Sequence, residues 1–190
     1  MEEQSVDRRV RKTKRQLRKA LMDLMAEKPV KSISVRELAD RADINRGTFY
    51  IHYKDVGDLL QRLEDEMAER LILVCKKYAR ADTSTSGYPY LTELYRFAQD
   101  NADLCQILLG PNGDRGYTER ICTILRNDFL RDFLSRFYTG SNDRLDYFCS
   151  FIVSGNLTLT LEWLSSGMKE TPEEMATLAG SMIMNGVRAL

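Results

Sequence analysis

The stretch "SVRELADRADINRGTFYIHYKD", Ser34 to Asp55, decides the fold. Ser34-Val35-Arg36-Glu37 fits the S-x-x-E capping box, in which a hydroxyl and a carboxylate satisfy each other's free backbone N–H groups. It predicts a short helix from about Val35 to Ala42, with Val35, Leu38, Ala39 and Ala42 inward. Ile44 is the expected apolar plug of the following turn, and Asn45 the cap of a second short helix, about Arg46 to His52. Two short helices joined by a tight turn make a helix-turn-helix pattern. Ala39 is small where the two must approach closely, and Ile44 and Phe49 are placed to clamp them from inside.

That second helix carries unusual side chains. Phe49 and Tyr53 are i, i+4 and share a face; Tyr50 and Lys54 share the next face round. One face can pack while the other meets a partner. Asn45, Arg46, Gly47 and Thr48 stand at the helix start, the end that enters the major groove in such motifs. Tyr50, His52 and Lys54 supply an O–H, an N–H and an ammonium, donors that a phosphate accepts. The competing reading, plain core packing, is adopted for Phe49 and left open for Tyr53; Tyr50 and His52 are read as phosphate contacts.

Outward from this motif nearly everything reads helical. Leu17, Leu21, Leu24 and Met25 form one stripe of a first helix, about Arg8 to Glu27, ended by Pro29. Asp55 is a further cap, opening a long helix from about Val56 to Ala81 with an inner stripe of Leu59, Leu60, Leu63, Met67, Leu71 and Val74. "RADTSTSGYP", Arg80 to Pro89, is the best linker. Helices are expected at about 90–100, 102–109, 116–138, 143–166 and 173–188, the last opened by the Thr171-Pro172-Glu173-Glu174 cap. The expectation is an all-α protein of about nine helices: a helix-turn-helix domain at 1–55 and a helical domain at 56–190.

Charge is uneven along the chain. Of 28 Lys/Arg and 28 Asp/Glu, the first 60 residues hold 14 and 10. The excess sits in "RRVRKTKRQLRK", Arg8 to Lys19, which has eight cations and no acid. Beside a compact helical motif, such a run is a candidate electrostatic footprint for nucleic acid.

Enzyme classes fail for want of parts. His52 is the single histidine, and the four cysteines, Cys75, Cys105, Cys122 and Cys149, are scattered without a CxxC pair. Neither a nucleophile with its base nor a zinc site assembles from these, and "GPNGDRG", Gly110 to Gly116, lacks the Lys and spacing of a phosphate loop. No metal or cofactor is expected. No run reaches the roughly 18 apolar residues of a membrane span, and the N-terminus has no apolar h-region, so a cytoplasmic protein with free thiols is expected.

From about Lys12 to Asp65 the chain resembles the DNA-binding domain of the tetracycline-repressor (TetR) family of bacterial regulators. "ISVRELADRADINRGTFYIHYKD", then "DLLQRLEDEM", carries the resemblance. It implies base or phosphate contacts from Arg46, Gly47 and Thr48, and phosphate contacts from Tyr50, His52 and Lys54 and from Ser34 or Arg36. Two departures stand out. Asp43 replaces a frequent Gly in the turn, where Asp tolerates the left-handed conformation. Val56 and Gly57 replace a frequent Lys-Glu, which removes a phosphate contact and weakens the first turn of the long helix.

"LYRFAQDNADLCQILLGPNGD" and "FIVSGNLTLTLEWLSSGMKETPEEMA" resemble a C-terminal domain of regulators from Gram-positive Firmicutes. The resemblance implies a homodimer packed through the last two helices, reading a palindromic site on double-stranded DNA. Met175, Leu178, Ala179, Met182, Ile183 and Gly186 are the expected interface stripe. An effector pocket is expected to draw on Leu108, Ile124, Phe129, Phe133, Tyr147, Phe151 and Trp163. The input is open between a small-molecule effector and a regulatory protein partner. The expected function is a transcriptional regulator, read as a repressor; the alternative is a helical adaptor acting through a protein partner.

Overall fold

Residues 2–78, 88–188 and 190 are described by a computed structural model, with side chains described from residue 8 onward and Asp128 excepted. The described residues form α-helices and no strand: α1 (Glu2–Glu27), α2 (Val35–Arg41), α3 (Arg46–His52), α4 (Val56–Tyr78), α5 (Pro89–Asp100), α6 (Ala102–Leu108), α7 (Arg115–Ile124), α8 (Arg131–Leu134), α9 (Asn142–Ser165) and α10 (Pro172–Arg188). A π-helical segment, Leu125–Leu130, joins α7 to α8 as one rod. Counted as one, the rod brings the described helices to the nine expected. The linker expected at Arg80 to Pro89 lies mostly outside the described residues.

Backbone contacts divide the chain into two compact units. The first is Met1–Met67 with Ile107–Asp114; the second is Ala68–Gln106 with Arg115–Leu190. The first unit thus includes the front half of α4 and a short segment from much later in the sequence.

The first unit is built on the apolar stripe of α1. Leu17, Leu21, Leu24 and Met25 are buried, as are Leu38 and Ala39 of α2, Phe49 of α3, and Leu59, Leu60 and Leu63 of α4. Val35 is only half-buried, because it occupies the first turn of α2. The helix α1 starts at Glu2, earlier than expected; its first residues have no apolar period from which a start could be read. At its other end Asn112 Nδ2 donates to the carbonyl of Met25 at 3.0 Å. The loop before α7 thereby satisfies a terminal carbonyl of α1.

The second unit gathers Leu134, Leu145, Phe148, Cys149, Ile152, Ile183 and Val187 into one cluster. A Cβ on Gly180 would come within 2.4 Å of the Tyr88 ring, and one on Gly186 within 2.7 Å of the Phe148 ring. Both glycines therefore make room for aromatic rings of the same chain. The helix α9 ends in a Schellman motif: Gly167 has φ 91°, and Met168 N–H donates to the Trp163 carbonyl at 3.0 Å. The helix α10 opens with the expected capping box, Thr171 N–H donating to Glu174 Oε2 and Glu174 N–H to Thr171 Oγ1.

The residues expected in the pocket and in the interface stripe fall in several different environments. Among the pocket residues, Tyr147 and Phe151 stand in solvent at 76% and 72% exposure, and Leu108 is buried in the first unit. Phe129 stacks on Tyr90, and Trp163 is held by Tyr95 and by its Nε1–H donating to the Glu170 carbonyl. Phe133 packs beside the core cluster, and Ile124 is half-buried. In the interface stripe, Met175, Ala179 and Ile183 are buried within the chain and Gly186 lies under Phe148; only Leu178 and Met182 are exposed. The physical reason is shared: α9 is apolar around much of its circumference, so α10 packs on one side and leaves another side bare.

Candidate nucleic-acid interface

The site is positioned from α2. Ser34 is extended, with φ −93° and ψ 154°. Its Oγ accepts from Glu37 N–H at 3.2 Å, while its own N–H donates to Glu37 Oε2 at 3.1 Å. Its hydroxyl also donates to the same carboxylate. Glu37 further accepts from Lys28 Nζ at 2.6 Å. The Lys28 ammonium, then the Ser34 donors, hold the Glu37 carboxyl down at about 2. Arg41 grips Glu27 through both terminal guanidinium nitrogens at 3.0 Å, and Gln16 Nε2 donates to the Ala42 carbonyl at 3.4 Å. These ties fix α2 on the end of α1. Ser34 is thus occupied by the cap, and Arg36 leans toward Asp40 at 3.8 Å.

The turn is a Schellman motif with an unusual residue. Asp43 takes φ 54°; its N–H donates to the Asp40 carbonyl at 3.3 Å, and Ile44 N–H to the Ala39 carbonyl at 3.0 Å. The left-handed Asp expected here is present, and Ile44 is half-buried. Asn45 then caps α3, its Oδ1 accepting from Gly47 N–H at 2.7 Å.

On α3 the faces separate. Phe49 is fully buried and Tyr53 nearly so, with ring centroids 5.8 Å apart. The open reading of Tyr53 closes as core: burial raises the pKa of its phenol, and the Arg62 guanidinium lies 5.3 Å over its ring. Tyr50 is 60% exposed, edge-on to Phe49 at 5.5 Å. Arg46, Gly47 and Lys54 are exposed, and Thr48 and His52 half-exposed. Asp58 N–H donates to Asp55 Oδ1 at 2.8 Å, and Lys54 N–H to Asp58 Oδ2 at 3.0 Å. This start of α4 orients Lys54; the Lys54 N–H bond first, then Arg62, lowers the Asp58 pKa. Arg46, Gly47, Thr48, Tyr50, His52 and Lys54 thus gather on α3 and its exit. Ser34 and Asn45 are drawn into caps.

One residue escaped the sequence reading. Ile51 is 77% exposed. Its position two residues from the buried Phe49, on the opposite side of a helix, was the available signal.

A short helix held from inside by two aromatics, presenting donors and cations outward after a tight turn, is the reading head of a helix-turn-helix DNA-binding protein. Residues 17–63 match the model for bacterial regulatory proteins of the tetR family, and residues 86–185 match a transcriptional regulator C-terminal region. The chain belongs to the TetR family of transcriptional regulators. It is 35% identical over 71 residues to the HTH-type transcriptional regulator YxbF of Bacillus subtilis (strain 168), covering 37% of this chain and 19% of that protein. Its fold resembles a TetR regulator from Streptococcus agalactiae 2603V, with a TM-score of 0.65 at 24% identity over 95% and 98% of the two chains. It also resembles the fatty acid degradation regulator FadR from Bacillus halodurans, TM-score 0.66 at 15% identity over 93% and 96%. The dihydroxyacetone kinase operon activator DhaS is a further fold neighbour, TM-score 0.57 at 19% identity over 94% and 97%. Among the described residues no helix is long and apolar enough to cross a membrane.

Proposed function

We propose that this regulator acts as a homodimeric repressor on a two-fold symmetric operator, under control of an effector or protein partner that engages the second unit. The observation that carries the DNA contact is the outer surface of α3 and its exit. Arg46, Tyr50 and Lys54 are exposed there, and no carboxylate lies between Asp43 and Asp55. Arg46, Gly47 and Thr48 meet base edges or phosphate; Tyr50, His52 and Lys54 hold phosphates. The missing donor at Val56 and Gly57 is offset by the basic run of α1. The dimer packs through the side chains that α9 and α10 leave bare, Tyr147, Phe151, Leu178 and Met182, in place of the stripe first expected. Two recognition helices about 34 Å apart then enter successive major grooves on one face of DNA. An effector acts by differential affinity for two placements of those helices. The operon activator among the fold neighbours marks activation as the opposite sign of the same device.

Fluorescence anisotropy tests the proposal: the purified protein on DNA from upstream of its own gene, against scrambled DNA, at two salt concentrations. Sequence-preferring binding that falls steeply with salt is expected, weakened by both Tyr50→Phe and His52→Ala. Weak, equal binding to both DNAs, unchanged by the substitutions, overturns it and favours the adaptor reading.

A further inference from the structure

Ile51 has no role in the packing of the first unit and is no phosphate donor, yet it is the most exposed large apolar side chain of the chain's described residues. Its direction is set by the helix. At about 100° per residue, Ile51 stands about 200° round from the fully buried Phe49, and Gly47 about 160°. These two positions form the outermost ridge of α3. Gly47 contributes no side chain, so the Ile51 side chain projects furthest from the body of the unit.

The surroundings select the partner. From Ile44 to Lys54 the chain carries Arg46, His52 and Lys54 and no acid, and Tyr50 beside Ile51 is exposed. Such a rim suits a polyanion. Within the major groove, the one apolar feature of the base edges is the C5-methyl group of thymine. We propose that Ile51 is a specificity residue that packs on a thymine methyl group once in each half-site. The inference rests on the reading of α3 as the recognition helix, and deepens it from phosphate contact to base choice.

The test begins with the full-length protein and a random duplex pool, from which preferred sites are selected. Each thymine of the preferred site is then replaced in turn by deoxyuridine, symmetrically in both half-sites; this removes the methyl group and keeps the base pair. One position is expected to weaken wild-type binding about fourfold per half-site, the worth of one buried methyl group. Ile51→Ser, a change at a solvent-exposed position that spares the fold, is expected to bind thymine and deoxyuridine duplexes equally there. Ile51→Val keeps part of the discrimination. A wild type indifferent to every replacement, or an Ile51→Ser protein that discriminates as the wild type does, overturns the assignment while sequence-preferring binding leaves the regulator standing. Failure of the pool to yield any preferred site removes the operator reading and the thymine contact with it.

Discussion

Asp43 carries the turn on a backbone that few side chains accept. At φ 54° an L-residue with a branched Cβ is crowded, whereas Gly is not and Asp is tolerated. Asp43→Gly is therefore expected to stabilise the protein by about 0.5 kcal/mol and Asp43→Val to destabilise it by about 1–2 kcal/mol, read as shifts in the urea midpoint at constant slope. An Asp43→Val protein as stable as the parent would show that the turn is not under this constraint. The left-handed Asp was legible because turn chemistry is local. Tyr53 and Ile51 were harder. Both are large and apolar in a seven-residue helix or at its end, and a helix of two turns offers too few positions for the period to sort them. Only the full burial of Phe49 decides which way each points.

At the scale of elements, the caps and ion pairs of α2 make its attachment sensitive to acid. Glu37 titrates near 2 in the folded chain, down from 4.5, chiefly through its bond from Lys28. A depressed carboxylate adds stability that is present above its unfolded pKa and is lost as pH falls through the folded one. The window here runs from about 4.5 down to about 2. Glu37→Gln is expected to melt below the wild type at pH 7, with the gap closing across that window, followed by thermal circular dichroism at a series of pH values. A gap that stays constant with pH would assign the loss to the cap geometry and not to the charge. Both capping boxes were readable from four letters each, since partner and donor lie three residues apart. The faces of α9 were not. Tyr147 and Phe148, and Phe151 and Ile152, are adjacent apolar pairs that cover two sides of the helix. Hydrophobic period cannot choose between them, and only the seating of Gly186 under Phe148 does.

For the whole molecule, that seating also sets the direction of the pair. Phe148 meets Gly186, and Ile152 joins Ile183 in the core, so α9 and α10 run antiparallel and Phe151 stands about level with Met182. Large exposed apolar groups on neighbouring helices mark an interface when they cluster. Phe151→Arg with Met182→Arg is expected to convert the proposed dimer to monomer in sedimentation velocity, with unchanged circular dichroism because neither side chain supports the core. Operator affinity falls with it, since each half-site is then bound alone. A double variant that remains dimeric would move the interface elsewhere. The helical class and the reading head were legible in the sequence because both rest on short-range patterns. The assignment of residues 107–114 to the first unit was not, because a contact such as that of Asn112 with Met25 spans 87 positions.

That long contact has a consequence for biogenesis. A chain emerging from the ribosome presents α1, α2 and α3 early, yet the segment that finishes their unit is synthesised only after α5 and α6. The unit that carries the reading head is therefore discontinuous in the order of synthesis. The Met25 carbonyl meets Asn112 only once that residue has left the exit tunnel, so a nascent chain stalled before that point lacks this tie on α1. A chain truncated before residue 107 is expected to hold α1, α2 and α3 less stably than one that includes residues 107–114.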